Sequence, residues 1–206
     1  MVGARIRVDF YGYVAPGDPA LAAELAFRDA SVSHVKNGVY SAMYVAAMIA
    51  AAAVCGDPET IVAAGLEQIP LNCRHRAGME QVLAWYREGR SAEQTIEAIH
   101  SLYDENRFFG WCSAISNDMV CTAALLYGAG DFGRSICLTV QAAYDTDSNG
   151  ATVGSIAGIM CGKSGIDLCW TQPYGDRLHT LVQDYAEVTV DTLVERTQAV
   201  IDARAR

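Results

Sequence analysis

The stretch from Val39 to Cys55 limits what this chain can become: alanine dominates it and Ser41 is its single polar residue. It is shorter than the ~20 residues a bilayer span requires, and alanine is only weakly hydrophobic. A run with no polar face predicts a helix enclosed on all sides at the centre of a globular domain. The chain around it supplies the material to enclose it. With 51% hydrophobic and 19% charged residues, the 206-residue sequence excludes global disorder and is long enough for one core.

The flanking segments carry helix signals nearly throughout. Asp18-Pro19 and Asp57-Pro58 are cap-and-first-turn pairs, and the helix opened by Pro58 stops before Pro70. The segment "AGMEQVLAWYREG" is amphipathic and closes at Gly89, and Ser91 with Gln94 forms a capping box. Gly128-Ala129-Gly130 divides two further helices, with Asp131 capping the second; Asn117 and Asp118 read as a cap for the first. A small-residue helix follows in "GATVGSIAGIMCG", and the last helix ends in arginines that suit its dipole. Only "ARIRVDF" alternates as a strand does, and a lone strand has no ladder partner. The expectation is an all-α globule of about eight helices, one domain spanning residues 1–206.

Charge and cysteine usage narrow the setting. Twenty-four acidic against 15 basic residues leave a formal charge of −9, which argues against nucleic acid or an anionic membrane as the partner. "MVGARIRVDFYG" has no long apolar run of a signal peptide. Seven cysteines without a CxxC predict a reduced, cytoplasmic protein, and the four histidines show no zinc-ligand spacing with them.

The densest chemistry lies in "AAYDTDSNGATVGSIAGIMCG". Asp145, Asp147 and Ser148 place two carboxylates and a hydroxyl within four residues, in a turn that opens a helix. Hard divalent cations take such oxygens, and a cation relieves the repulsion between neighbouring carboxylates. Capping by Asp147 or Ser148 would explain one residue of the three. An EF-hand loop also begins this way but requires a bidentate Glu at its twelfth position, which here is Ile156.

"DTDSNGATVGSIAG" resembles the C-terminal metal motif of the ADP-ribosylglycohydrolase family, all-α hydrolases related to dinitrogenase-reductase-activating glycohydrolase. This chain has Ala143-Tyr144 ahead of the first Asp, and Ser148 where the family usually has Thr. "GARIRVDFYGYVAPGDPALAAELAFRDASVSHVKNGVY" resembles the family's Asn-Gly-x-x-Met-Arg segment with its following helix and Ser/Thr-His pair. "FFGWCSAISNDMVCTAALLYGAGDFGRSICLTVQAA" is similar to the segment leading into the metal motif.

The resemblance implies magnesium or manganese (Mg²⁺ or Mn²⁺) on Asp145, Asp147 and Ser148. It also implies an ADP-ribose diphosphate against Gly3, Ala4 and Arg7, with His34 near the ribose. It implies further an N-terminal Glu and a Ser/Thr-Asp-Asp motif, whereas this sequence contains no Asp-Asp dipeptide. The expectation is therefore a family domain incomplete at its N-terminus, completed by a homo-oligomer or by a partner. Two functions follow: a metal-assisted hydrolase of an ADP-ribosylated substrate, or a catalytically incomplete member that at most binds ADP-ribose.

Overall fold

The computed structural model describes residues 1–107 and 109–204. A 3-10 turn, Arg5–Arg7, leads into α1 (Asp9–Tyr13), α2 (Pro19–Ala30), α3 (Asn37–Ala52), α4 (Pro58–Glu67), α5 (Arg74–Arg87) and α6 (Ala92–Leu102). A second 3-10 turn, Gly110–Cys112, precedes α7 (Ala114–Gly128), α8 (Phe132–Gln141), α9 (Thr146–Gly165) and α10 (Leu168–Thr171). A hairpin of β1 (Arg177–His179) and β2 (Glu187–Thr189) then hands over to α11 (Val190–Arg204). Ala205 and Arg206, the end of the expected arginine-rich terminus, and Phe108 lie outside the described residues.

The fold is all-α apart from that hairpin, and beside the expected helices, about eight, it has α1 and α10, which are too short to show a periodicity. Four of its caps are ones the sequence announces. The Leu21, Thr60 and Arg134 amides donate to Asp18, Asp57 and Asp131 at 3.0, 2.9 and 2.7 Å. In the capping box the Gln94 amide donates to Ser91 Oγ at 3.2 Å, and the Ser91 amide to Gln94 Oε1 at 2.9 Å. Each such cap stabilises its helix by about 1 kcal/mol. "ARIRVDF" becomes the 3-10 turn and the start of α1.

Two helices form the centre. In α3 only Asn37, Tyr40 and Met43 escape burial, and in α7 only Tyr127 does. The alanine run of α3 brings α1, α2, α4 and α9 close around it, with α7 against its inner side. Gly12 and Gly65 mark the tightest approaches: a Cβ at Gly12 would lie 2.4 Å from Ile49, and one at Gly65 would lie 2.7 Å from the Tyr44 ring. Tyr44 Oη and Thr122 Oγ1, 2.9 Å apart, join α3 to α7. Toward the C-terminus the packing thins. No residue of α11 is buried, and Leu168, Tyr174, Leu181 and Val182 are exposed.

Candidate functional site

The 3-10 turn at residues 5–7 divides the site in two. At three residues per turn, positions two apart point to different sides, so Arg5 enters the core while Arg7 stays at the surface. Arg5 is fully buried, and its guanidinium reaches four partners. Nη1 donates to Asp118 Oδ1 at 3.1 Å and to Cys121 Sγ at 3.3 Å. Nη2 donates to Ser148 Oγ at 2.8 Å and to Asn149 Oδ1 at 2.9 Å.

Asp118 is buried as completely as Arg5. Its other carboxylate oxygen accepts from Ser41 Oγ at 2.5 Å and from His75 Nε2 at 2.6 Å. Burial alone would push this carboxyl up, but the Arg5 charge and the His75 and Ser41 hydrogen bonds hold it below the usual carboxylate range. Burial pushes the neighbouring Cys121 thiol up to about 12, so it packs against Arg5 as a neutral group. The reading of Asn117 and Asp118 as a helix cap is therefore corrected. Both are buried inside α7, as its fourth and fifth residues, and its N-cap Ser113 makes no side-chain cap bond.

Asn117 extends the network to the head of α9. Its Oδ1 accepts from Asn149 Nδ2 at 2.7 Å and from the Asp145 amide at 3.1 Å, while its Nδ2 donates to the Trp111 and Ser113 carbonyls. Ser148 Oγ donates to Asp145 Oδ2 at 2.6 Å. With Arg5 occupying one lone pair of the Ser148 oxygen, the hydroxyl proton is directed to Asp145 and a second lone pair remains. Asp145 is the N-cap residue of α9 but makes no side-chain cap bond, so neither Asp147 nor Ser148 acts as the cap. The structure brings Asp145 and Ser148 into contact, while Asp147 is exposed in the same turn.

These oxygens suit Mg²⁺ or Mn²⁺, ions that take a few carboxylates and complete their shell with water. Among the described residues no cluster of three or more His, Cys, Asp or Glu side chains could hold a metal. Any ion here would therefore depend on the hydroxyl and on waters. Ile156, at the twelfth position of the would-be calcium loop, is fully buried.

The outer half gathers Arg7, Gly3 and His34. Arg7 Nε donates to Asp29 Oδ2 at 2.7 Å, Nη1 to the Gly3 carbonyl at 3.1 Å, and Nη2 to Ser33 Oγ at 2.8 Å. Ser33 Oγ lies 2.9 Å from His34 Nδ1. A Cβ at Gly3 would come within 3.3 Å of the His34 ring, so the absent side chain leaves room for the imidazole. Burial, with nearby positive charge including Arg7, lowers the His34 pKa from its usual value. The ring is thus neutral at pH 7. Ala4 differs from the other three: it has no accessible surface and sits behind this face, not on it.

The ADP-ribosylglycohydrolase family model matches residues 2–199 of the chain. The chain belongs to the ADP-ribosylglycohydrolase family. No curated protein and no solved structure matches it.

In this ADP-ribosylglycohydrolase-family chain, sequence reasoning missed Arg5, Asp118, Asn149 and His75. One signal was present: Asn117, Asp118 and Asn149 lie within otherwise apolar or small-residue helices. Their partners are not local, because Arg5 meets Asp118 and Ser148 across 113 and 143 positions. A second feature is the backbone ahead of Asp145, where Ala143 and Tyr144 both have left-handed φ values of +63° and +60°. For L-residues each costs roughly 1–2 kcal/mol. A cavity of about 400 Å³ opens by Tyr103, Asp104, Arg107 and Ser113. None of the candidate residues lines it, so the candidate chemistry sits on a more open face. No helix among the described residues is long and apolar enough to cross a membrane.

Proposed function

We propose that this chain takes part in hydrolysis of the glycosidic bond at the anomeric carbon of an ADP-ribosylated substrate, assisted by Mg²⁺ or Mn²⁺. The observation that carries the reading is the head of α9. There a hydrogen-bonded Asp145–Ser148 pair is braced from beneath by Arg5, beside an exposed Asp147. Asp145, Asp147 and Ser148 would hold the ion. When bound, it would engage ribose hydroxyls and activate or position the attacking water. The two carboxylates favour the positive charge that develops on the sugar ring as the bond breaks.

Arg7 and the backbone at Gly3 would take the diphosphate, a planar guanidinium being suited to paired phosphate oxygens. His34, neutral and wedged against Gly3, would lie by the ribose. Ala4 supports the turn from behind. A second copy of the chain or a partner would complete the site. The exposed Leu168, Tyr174, Leu181 and Val182 support such an association.

The second reading, a family member that binds ADP-ribose without cleaving it, draws on one observation. The Arg5 guanidinium touches Ser148 and already brings positive charge to the Asp145 side of the site. An assay of ADP-ribose release from an ADP-ribosylated protein separates the two. Release that requires Mg²⁺ or Mn²⁺, stops with chelator and is lost in Asp147→Ala supports hydrolysis. Binding of ADP-ribose with no release under any metal condition supports the second reading and sinks the first.

A further inference from the structure

Ala143 and Tyr144 are the one pair of adjacent non-glycine residues in left-handed backbone among the described residues. Such a conformation is unfavourable for L-residues and persists only where the surroundings over-determine it. Here the fixing contacts come from the C-terminal end of α6 and the loop after it. Glu105 Oε2 accepts the Tyr144 N–H at 3.0 Å, and Tyr144 Oη donates to the Tyr103 carbonyl at 2.7 Å. The His100 ring stacks on the Tyr144 ring with centroids 4.6 Å apart and planes 16° apart. His100 Nε2 donates to the Ala142 carbonyl at 3.0 Å. Ala142 and Tyr144, on either side of Ala143, are thus held at backbone and side chain by one neighbouring segment.

The next residue is Asp145, whose own amide is taken by Asn117 Oδ1 and whose carboxylate accepts from Ser148. A shift in φ at Tyr144 would swing Asp145 away from both partners. We propose that Glu105 is a positioning residue: with His100 and Tyr103 it clamps the strained Ala143–Tyr144 turn and so sets Asp145 against Ser148. Its functional consequence rests on the reading of Asp145 and Ser148 as metal ligands. Among the described residues Glu105 makes no hydrogen bond to those ligands and acts through the Tyr144 amide.

Two readouts on the whole chain, with melting temperature as a control for folding, test the proposal. The first is hydrogen exchange of residues 143–149 in metal-free protein; the second is Mn²⁺ binding by calorimetry. Glu105→Ala should raise exchange there about tenfold and weaken Mn²⁺ binding by about as much, the scale of one hydrogen bond to a charged acceptor. Glu105→Gln keeps an acceptor oxygen and should stay within about twofold of the wild type in both. Exchange unchanged by Glu105→Ala overturns the clamp. A loosened turn with unaltered Mn²⁺ affinity overturns the positioning role. A wild type that takes up no Mn²⁺, with the turn still loosened by Glu105→Ala, removes the metal reading and supports the clamp.

Discussion

Arg5 and Arg7 leave the same short turn and meet opposite fates. Arg5 is sealed in a network with Asp118, Ser148 and Asn149 and is paired with a carboxylate that has no access to water. Arg7, 40% exposed, is paired with a partly exposed Asp29 and held near Ser33 and Gly3. The contrast separates two jobs, bracing the core and facing a ligand. A buried guanidinium whose two terminal nitrogens bond to both helices fixes the relation between α7 and α9. An arginine at the surface can exchange its partners for a ligand's oxygens at little cost to the fold.

The largest effect should come from breaking the inner pair. Asp118→Ala leaves Arg5 buried without a counter-charge, and removing one partner of a buried ion pair destabilises by about 3–5 kcal/mol. Chemical denaturation should show a large fall in midpoint or loss of the folded protein. A loss below about 1 kcal/mol would mean that water reaches Arg5 and the network is not sealed.

Acid should act on the same pair. Because the folded Asp118 pKa is depressed, its contribution is fully present above the unfolded value near 3.9 and is lost as pH falls through the lower folded value. A circular-dichroism acid titration should therefore show stability held down to about pH 4 and falling below it. In Asp118→Asn that segment of the profile should flatten. An identical acid limb in the variant would contradict the assignment.

The smallest effect on stability should come from the outer arginine. Arg7→Ala removes a partly exposed pair worth at most about 1 kcal/mol, so the melting temperature should move by a few degrees at most. ADP-ribose affinity should nevertheless fall about tenfold or more if Arg7 faces the diphosphate. A variant that melts much earlier while keeping its affinity would reverse the roles given to the two arginines.

The fold was legible where the information is local. Asp18, Asp57, Asp131 and the Ser91–Gln94 box sit within three residues of the amides they cap. The alanine run announced the enclosed α3 because a helix with no polar face has only one place to go. The hairpin at 177–189 was not legible: β1 is exposed at all three positions, so no alternation of burial marks it. The site was half legible. Asp145, Asp147 and Ser148 stood out by their spacing, and Gly3, Arg7 and His34 are indeed neighbours in space. Arg5 and Asp118 could not be found that way. Two arginines in an alternating segment look equivalent until a 3-10 turn sends them to different sides.

The central claim is that one face of this ADP-ribosylglycohydrolase-family chain joins an ADP-ribose site around Arg7 to a divalent ion on Asp145, Asp147 and Ser148. Calorimetric titration of ADP-ribose, with and without Mg²⁺, into the wild type and Asp147→Ala tests it most directly. The account predicts binding that Mg²⁺ strengthens and that Asp147→Ala reduces to the metal-free level. Binding indifferent to both Mg²⁺ and the substitution, or no binding at all, would contradict it.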